Sequence, residues 1–316
     1  MPCRGRKCVV YAVVCVCFLI CIRYVTIGNT SRIASLKDYS FNNVLVSNEI
    51  YASSRVQLDN SLHSNFLTKE PMNDSREWTI LMTVNNGYLD FFRNWLWYFK
   101  KLNLSTPLIV VAHDDLVYKE LWDVDVSNLG NIVIERSALV SINSSVNYQT
   151  KQFNMLVGKR PYHILDFLER GKNILYIDTD TVWLQAPFQY FTGDYDLWVQ
   201  MESDASFCTG LMAIKSGPHT LELIRAWRDR MIDIDNKKND QDGFNDIVRN
   251  FSSKVRIKGL DTKRFPDGLQ YFVTFNDRQR EDVVVVHNNW IIGHGKKLER
   301  FKRMKLWYED KHDGTE

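Results

Sequence analysis

From Trp78 onward, short apolar runs alternate with longer stretches in which apolar residues recur every three to four positions. Thr79 to Val84, Leu108 to Ala112, Ile132 to Ile134, Ile174 to Ile177, Asp196 to Met201 and Gly210 to Ile214 read as strands. Helix-like segments lie near Leu89 to Leu102, Tyr162 to Arg170 and Pro218 to Met231, and a further helix opens near Asp240. Gly171 stops the second of these, and Pro218 suits the first turn of the third. Four consecutive valines, Val283 to Val286, predict one more buried strand. Strands alternating with helices predict an α/β fold, a mostly parallel sheet with helices on both faces. The aromatic run Phe91, Phe92, Trp95, Trp97, Tyr98 and Phe99 has helical spacing and predicts core packing rather than a carbohydrate platform.

The amino-terminal region follows a different pattern. Cys8 to Ile22 carries no charge and follows Arg4, Arg6 and Lys7, the signature of a span with a cytoplasmic amino terminus. A snorkelling Arg23 lets the span run on to Ile27, giving a tail over 1–7 and a signal anchor over 8–27. The alternative is a cleaved signal peptide, although no small-residue cleavage site follows Ile22. Gly28 to Glu77 is rich in Ser and Asn without sustained period and reads as a lumenal stem, leaving one domain over 78–310. A short anchor suits the thinner membranes of the endoplasmic reticulum or Golgi, and N-x-S/T sequons at Asn29, Asn73, Asn103, Asn143 and Asn250 agree with a lumenal, type II arrangement.

Composition narrows the function. Forty basic against thirty-eight acidic residues leave a net charge of +2, which provides no electrostatic footprint for nucleic acid. Five of the six cysteines precede Arg23, so Cys208 stands alone in the lumenal part and is expected to be a buried small apolar residue.

The strand Ile174 to Ile177 ends in Asp178-Thr179-Asp180. Ligands of α/β sheets gather at the carboxyl ends of strands, so this pair presents hard oxygen ligands together to a divalent cation able to carry a diphosphate. Turn formation or helix capping is the structural alternative.

Four blocks in order now carry a resemblance: Thr83-Val84-Asn85-Asn86-Gly87-Tyr88-Leu89-Asp90, Asp178-Thr179-Asp180, Asp240-Gln241-Asp242-Gly243-Phe244-Asn245, and His287-Asn288-Asn289-Trp290-Ile291-Ile292-Gly293-His294-Gly295-Lys296-Lys297. Over about Trp78 to Trp307 the chain resembles a GT-A nucleotide-diphospho-sugar transferase, closest to glycosyltransferase family 77 with its α-xylosyl-, galactosyl- and arabinosyltransferases. The resemblance implies a Rossmann-like GT-A domain and a retaining, Mn2+- or Mg2+-dependent transfer from a UDP-sugar to a glycan or glycoprotein acceptor. UDP-xylose and UDP-galactose are the leading donors.

The resemblance also implies roles. Asp178, Asp180 and a histidine hold the metal, with His287 preferred and His294 its rival. Thr83, Asn85 and Asn86 are expected to line the uridine pocket, with an Asn-Gly turn as the alternative for that block. A basic residue, Lys159 or Arg160, holds the donor, with surface solvation as the alternative, and Thr209 and Gly210 lie beside its sugar, with a plain strand-entry glycine as the alternative. Gly293 and Gly295 let backbone approach the phosphates, and Lys296 or Lys297 neutralises the β-phosphate. Asp240, Gln241 and Asp242 position acceptor and donor sugar, with helix N-capping as the alternative for that segment.

Two other functional classes fit parts of the pattern. Tyr176 to Val182 also matches the nucleophile loop of a haloacid-dehalogenase-like phosphatase, although the late acidic pair of that family is missing. An inactive, membrane-tethered glycan-binding protein is the non-enzymatic reading.

Overall fold

The computed structural model describes residues 77–123, 131–139, 141–233 and 238–309. The expected tail and anchor, and all but the last residue of the stem, lie outside them. Among the described residues no helix is long and apolar enough to cross a membrane.

In chain order the elements begin β1 (Trp78–Val84), α1 (Leu89–Lys101), β2 (Leu108–Ala112), α2 (Asp115–Asp123) and β3 (Ile132–Arg136). They continue α3 (Lys151–Val157), α4 (Arg160–Glu169), β4 (Asn173–Ile177), β5 (Thr181–Trp183), β6 (Leu197–Ser203) and β7 (Ser206–Ile214). The last part holds α5 (Pro218–Asp233), α6 (Asp240–Ile247), β8 (Ile257–Gly259), β9 (Val285–His287) and α7 (His294–Arg303).

Seven strands form one sheet in the order β3-β2-β1-β4-β7-β6-β8. β3, β2, β1 and β4 run parallel; β7 alone is reversed, pairing antiparallel with both β4 and β6, while β8 is parallel to β6. The alternation along β1 sorts the core into two layers. Ile80, Met82 and Val84 cluster with Phe92, Trp95 and Phe99 of α1, whereas Leu81 clusters with Ile164 and Phe167 of α4 and Trp227 of α5. Helices therefore cover both faces, as the periodicity predicts. The aromatic run of α1 packs inward: Phe91, Phe92, Trp95, Tyr98 and Phe99 are all buried.

Two expectations change. All four valines at 283–286 are buried. However, the strand there is Val285–His287, and it pairs antiparallel with β5 in a separate two-stranded sheet. That small sheet joins Phe91 of α1 with Phe301 and Trp307 in a third apolar cluster. The helix expected from Tyr162 starts earlier, at Arg160, with Pro161 in its first turn.

Candidate active site

The chain moves from β1 out to β2 and β3, then returns to place β4 on the other side of β1. Such a reversal opens a crevice above the carboxyl ends of β1 and β4. There lies a cavity of about 720 Å³ whose wall includes Thr83, Asp178, Asp180, Thr209, Gln241 and His287. Asp178 and Asp180 stand in the turn that links β4 to β5, closed by a hydrogen bond from Thr181 Oγ1 to the Asp178 carbonyl at 2.8 Å.

Pairing of β5 with β9 sets Thr181 opposite His287, and the Asn288 N–H donates to the Asp180 carbonyl at 2.9 Å. This register delivers the imidazole to the acidic pair. Nε2 of His287 lies 3.9 Å from Asp178 Oδ2 and 3.5 Å from Asp180 Oδ1. One ligand atom from each of the three residues falls within 4.8 Å of the others. Two carboxylates and an imidazole form a donor set that a divalent cation can use, so these side chains fit the implied ion. His294 does not join them. Its Nε2 lies 3.0 Å from Asp90, and its ring packs edge-on against Phe91.

Arg160 and Lys159 separate in the same way. Arg160 is buried under the site, ion-paired with Asp178 at 2.7 Å and with Asp240, and it donates to Thr209 Oγ1 at 2.6 Å. Burial opposes its charge, but Asp178 and Asp240 outweigh that and hold it well above the ordinary guanidinium range. Burial raises the Asp240 carboxyl, against the pull of Arg160. Lys159 is not part of the cavity wall; its ammonium sits over the Tyr162 ring, 5.0 Å from the centroid.

Lys296, Lys297 and Gly293 border the cavity from the start of α7. Lys297 forms an ion pair with Asp180. Burial would raise the Asp180 carboxyl, but Lys297 and His287 together hold it far below the usual carboxylate range. Burial likewise works against His287, yet the adjacent Cys208 sulfur and Asp180 carboxylate push it up to about 10. Gly293 has φ +100°, a conformation that favours glycine and turns the chain into α7. Gly295 is not part of the wall.

The β1 block divides. Thr83 lines the cavity, its hydroxyl 3.0 Å from the Tyr176 hydroxyl. Asn85 also borders it, but its amide nitrogen donates to the carbonyls of Ile142 and Ser144 and thereby holds that loop in place. Asn86 lies outside the wall, its backbone N–H bound to Asp114 at 2.7 Å. In the third block Asp242 is likewise outside the wall. Its carboxylate accepts the Asn239 N–H while Asn239 Oδ1 accepts the Asp242 N–H, both at 2.9 Å, which is a capping box for α6. Gln241 does face the cavity, its Oε1 accepting the Thr209 N–H at 3.3 Å and its Nε2 donating to Glu202. Cys208 is 3% exposed, as expected of a small apolar residue.

Sequence reasoning missed several side chains of this site. Glu202, Tyr148 and His113 border the cavity, and Gln200 stands behind His287. Burial raises the Glu202 carboxyl. Gln200 and Glu202 both lie on β6, whose register against β7 shifts between Val199 and Gln200 and again between Met201 and Ser203, so regular alternation along the strand did not mark them. Nothing local marked His113 or Tyr148.

The pattern of the nucleotide-diphospho-sugar transferase family matches residues 103–301. UDP-D-xylose:L-fucose alpha-1,3-D-xylosyltransferase 3 of Arabidopsis thaliana is 29% identical over 263 residues, which covers 75% of this chain and 68% of that protein. UDP-galactose:fucoside alpha-3-galactosyltransferase of Dictyostelium discoideum is 27% identical over 281 residues, 72% of this chain and 43% of that one. Among solved structures, the glycosyltransferase GlyE of Streptococcus pneumoniae TIGR4 aligns with a TM-score of 0.46 at 14% identity, covering 73% of this chain and 64% of that chain. Matched over more than half of its length, and with relatives that uphold the resemblance to glycosyltransferase family 77, the chain belongs to the nucleotide-diphospho-sugar transferases and is a glycosyltransferase.

Proposed function

We propose that this glycosyltransferase moves xylose or galactose from a UDP-sugar to a fucose-bearing glycan or glycoprotein, with a divalent cation and with retention of configuration. The convergence of Asp178, Asp180 and His287 at the crevice above β1 and β4 carries the reading. Both named relatives use fucose or a fucoside as acceptor and form an α-3 linkage, one with a xylose and the other with a galactose donor. UDP-sugars of this kind carry the sugar in the α configuration, so an α product corresponds to retention.

Asp178, Asp180 and His287 would hold Mn2+ or Mg2+, which supplies charge neutralisation to the departing diphosphate. Lys296 and Lys297, at the start of α7, offer point charges for the phosphates, and the free N–H groups of that helix terminus favour anions. Thr83 and the β1 terminus provide a polar wall for the uridine. Arg160 borders the cavity as a positive charge for the donor and fixes Asp178. Gln241, held between Thr209 and Glu202, orients groups at the sugar. In the front-face displacement we favour, the acceptor oxygen bonds the anomeric carbon as the carbon–diphosphate bond breaks, and the acceptor proton passes to the leaving diphosphate oxygen. Asp242, committed to its cap, takes no part, and Asp240 serves through Arg160.

We further propose the type II arrangement in the endoplasmic reticulum or Golgi, supported by the apolar stretch Cys8 to Ile22 and the sequons. Family membership sets the phosphatase reading aside. A donor-hydrolysis screen over UDP- and GDP-sugars with Mn2+, followed by transfer to an aryl fucoside, tests the proposal. UDP-xylose or UDP-galactose should be used and chelation should stop the reaction; turnover indifferent to chelation, or absent with every donor, would refute it.

A further inference from the structure

Gln200 is completely buried on β6, between the metal-site histidine and the 265–266 backbone. Its amide nitrogen donates to two carbonyl oxygens, of Phe265 at 3.3 Å and Pro266 at 2.9 Å. Carbonyls only accept, so the nitrogen of the amide must face them. Its oxygen is thereby left 2.7 Å from Nδ1 of His287. An amide oxygen also only accepts, so His287 must carry its hydrogen on Nδ1 and donate it there. In the neutral ring the lone pair then falls on Nε2, the atom that faces Asp178 and Asp180.

We infer that Gln200 is a positioning residue that fixes the tautomer and ring orientation in which His287 can ligate a divalent cation. The chain of constraint runs from the 265–266 backbone through one amide to one imidazole. No surface or solvent group is needed, and a side chain without an acceptor at this place would let the imidazole hydrogen move to Nε2 and block the ligand position. Partners of this kind commonly alter metal affinity about 10- to 100-fold. The neighbouring Cys208 sulfur, 3.7 Å from the same Nδ1, is a weak acceptor and a poor substitute.

The inference rests on the proposed cation site, and the experiment separates the two. Mn2+ binding to the full chain is followed by electron paramagnetic resonance for the native protein and for Asp180→Asn, Gln200→Met and Gln200→Glu. Met keeps the shape and removes the acceptor; Glu, protonated on the oxygen that faces the Phe265 and Pro266 carbonyls, keeps an acceptor oxygen toward Nδ1. Native binding that is lost in Asp180→Asn, weakened at least tenfold in Gln200→Met and regained in Gln200→Glu supports the inference. Native-like affinity in a folded Gln200→Met overturns it alone, whereas equal binding by native protein and Asp180→Asn overturns the cation site itself. If Gln200→Met does not fold, Gln200→Glu decides: affinity near native supports the assignment, and lost affinity in a folded protein overturns it.

Discussion

Gly210 lies directly beneath Asp178: a Cβ at position 210 would stand 2.5 Å from Asp178 Oδ2 and 2.6 Å from Cε1 of His287. The antiparallel pairing of β7 with β4 creates this approach, with the Asp178 N–H donating to the Gly210 carbonyl at 2.9 Å. Gly210→Ala should therefore push both proposed ligands apart while leaving the strands paired. Mn2+ affinity should fall roughly tenfold or more, with a thermal midpoint close to native. Unchanged Mn2+ binding would show that the three side chains do not act as one site.

Arg160 neutralises two acidic groups, the buried Asp240 and the partly exposed, cavity-facing Asp178. Arg160→Met should destabilise the protein by about 3–5 kcal/mol, the usual consequence of leaving a buried charge unpaired. The double variant Arg160→Met/Asp240→Leu should recover part of that loss, since one orphaned carboxylate is removed. Urea unfolding of the three proteins makes the comparison, and equal midpoints for native protein and Arg160→Met would contradict the assignment.

Asp242 and Asp180 should behave oppositely. Asp242→Ala removes a cap and should cost about 1 kcal/mol of stability, with kcat/KM for transfer retained within a few-fold. Asp180→Asn should abolish transfer and leave the fold intact. A dead but stable Asp242→Ala would restore the catalytic role suggested by its motif.

The buried imidazole of His113 should make stability sensitive to acid. Burial, reinforced by Arg160, lowers His113 from the ordinary 6.5 to about 4, so the folded protein keeps it neutral where the unfolded chain takes up a proton. Stability from this group is complete above pH 6.5 and declines as pH falls toward about 4, with a slope of about 1.4 kcal/mol per pH unit. His163, lowered well below its ordinary value by burial and by His113, should act in the same direction. Urea unfolding of His113→Gln between pH 7 and 4.5 should give a shallower dependence than native; an identical dependence would remove His113 from the account.

What the chain determined by itself were features carried by contiguous residues. The strand periodicities, the helical spacing of the α1 aromatics and the arrival of Asp178 and Asp180 at a strand end are all local, because side-chain direction along a strand or helix follows from sequence spacing. The order of the four blocks was likewise enough to indicate the family.

Only the tertiary structure decided which polar side chain at each block does what. Lys159 and Arg160 are neighbours, yet at a helix start one residue turns the side chain by about 100°, so one sits over Tyr162 and the other under Asp178. His287 and His294 share a motif, but the register of β5 against β9 brings only the first to the acidic pair. Asn85 and Asp242 looked available for ligands until their partners, the 142–144 backbone and Asn239, were known. A buried polar atom takes whatever complementary partner the packing supplies. Those partners come from distant segments, and the spacing of residues along the chain does not encode them.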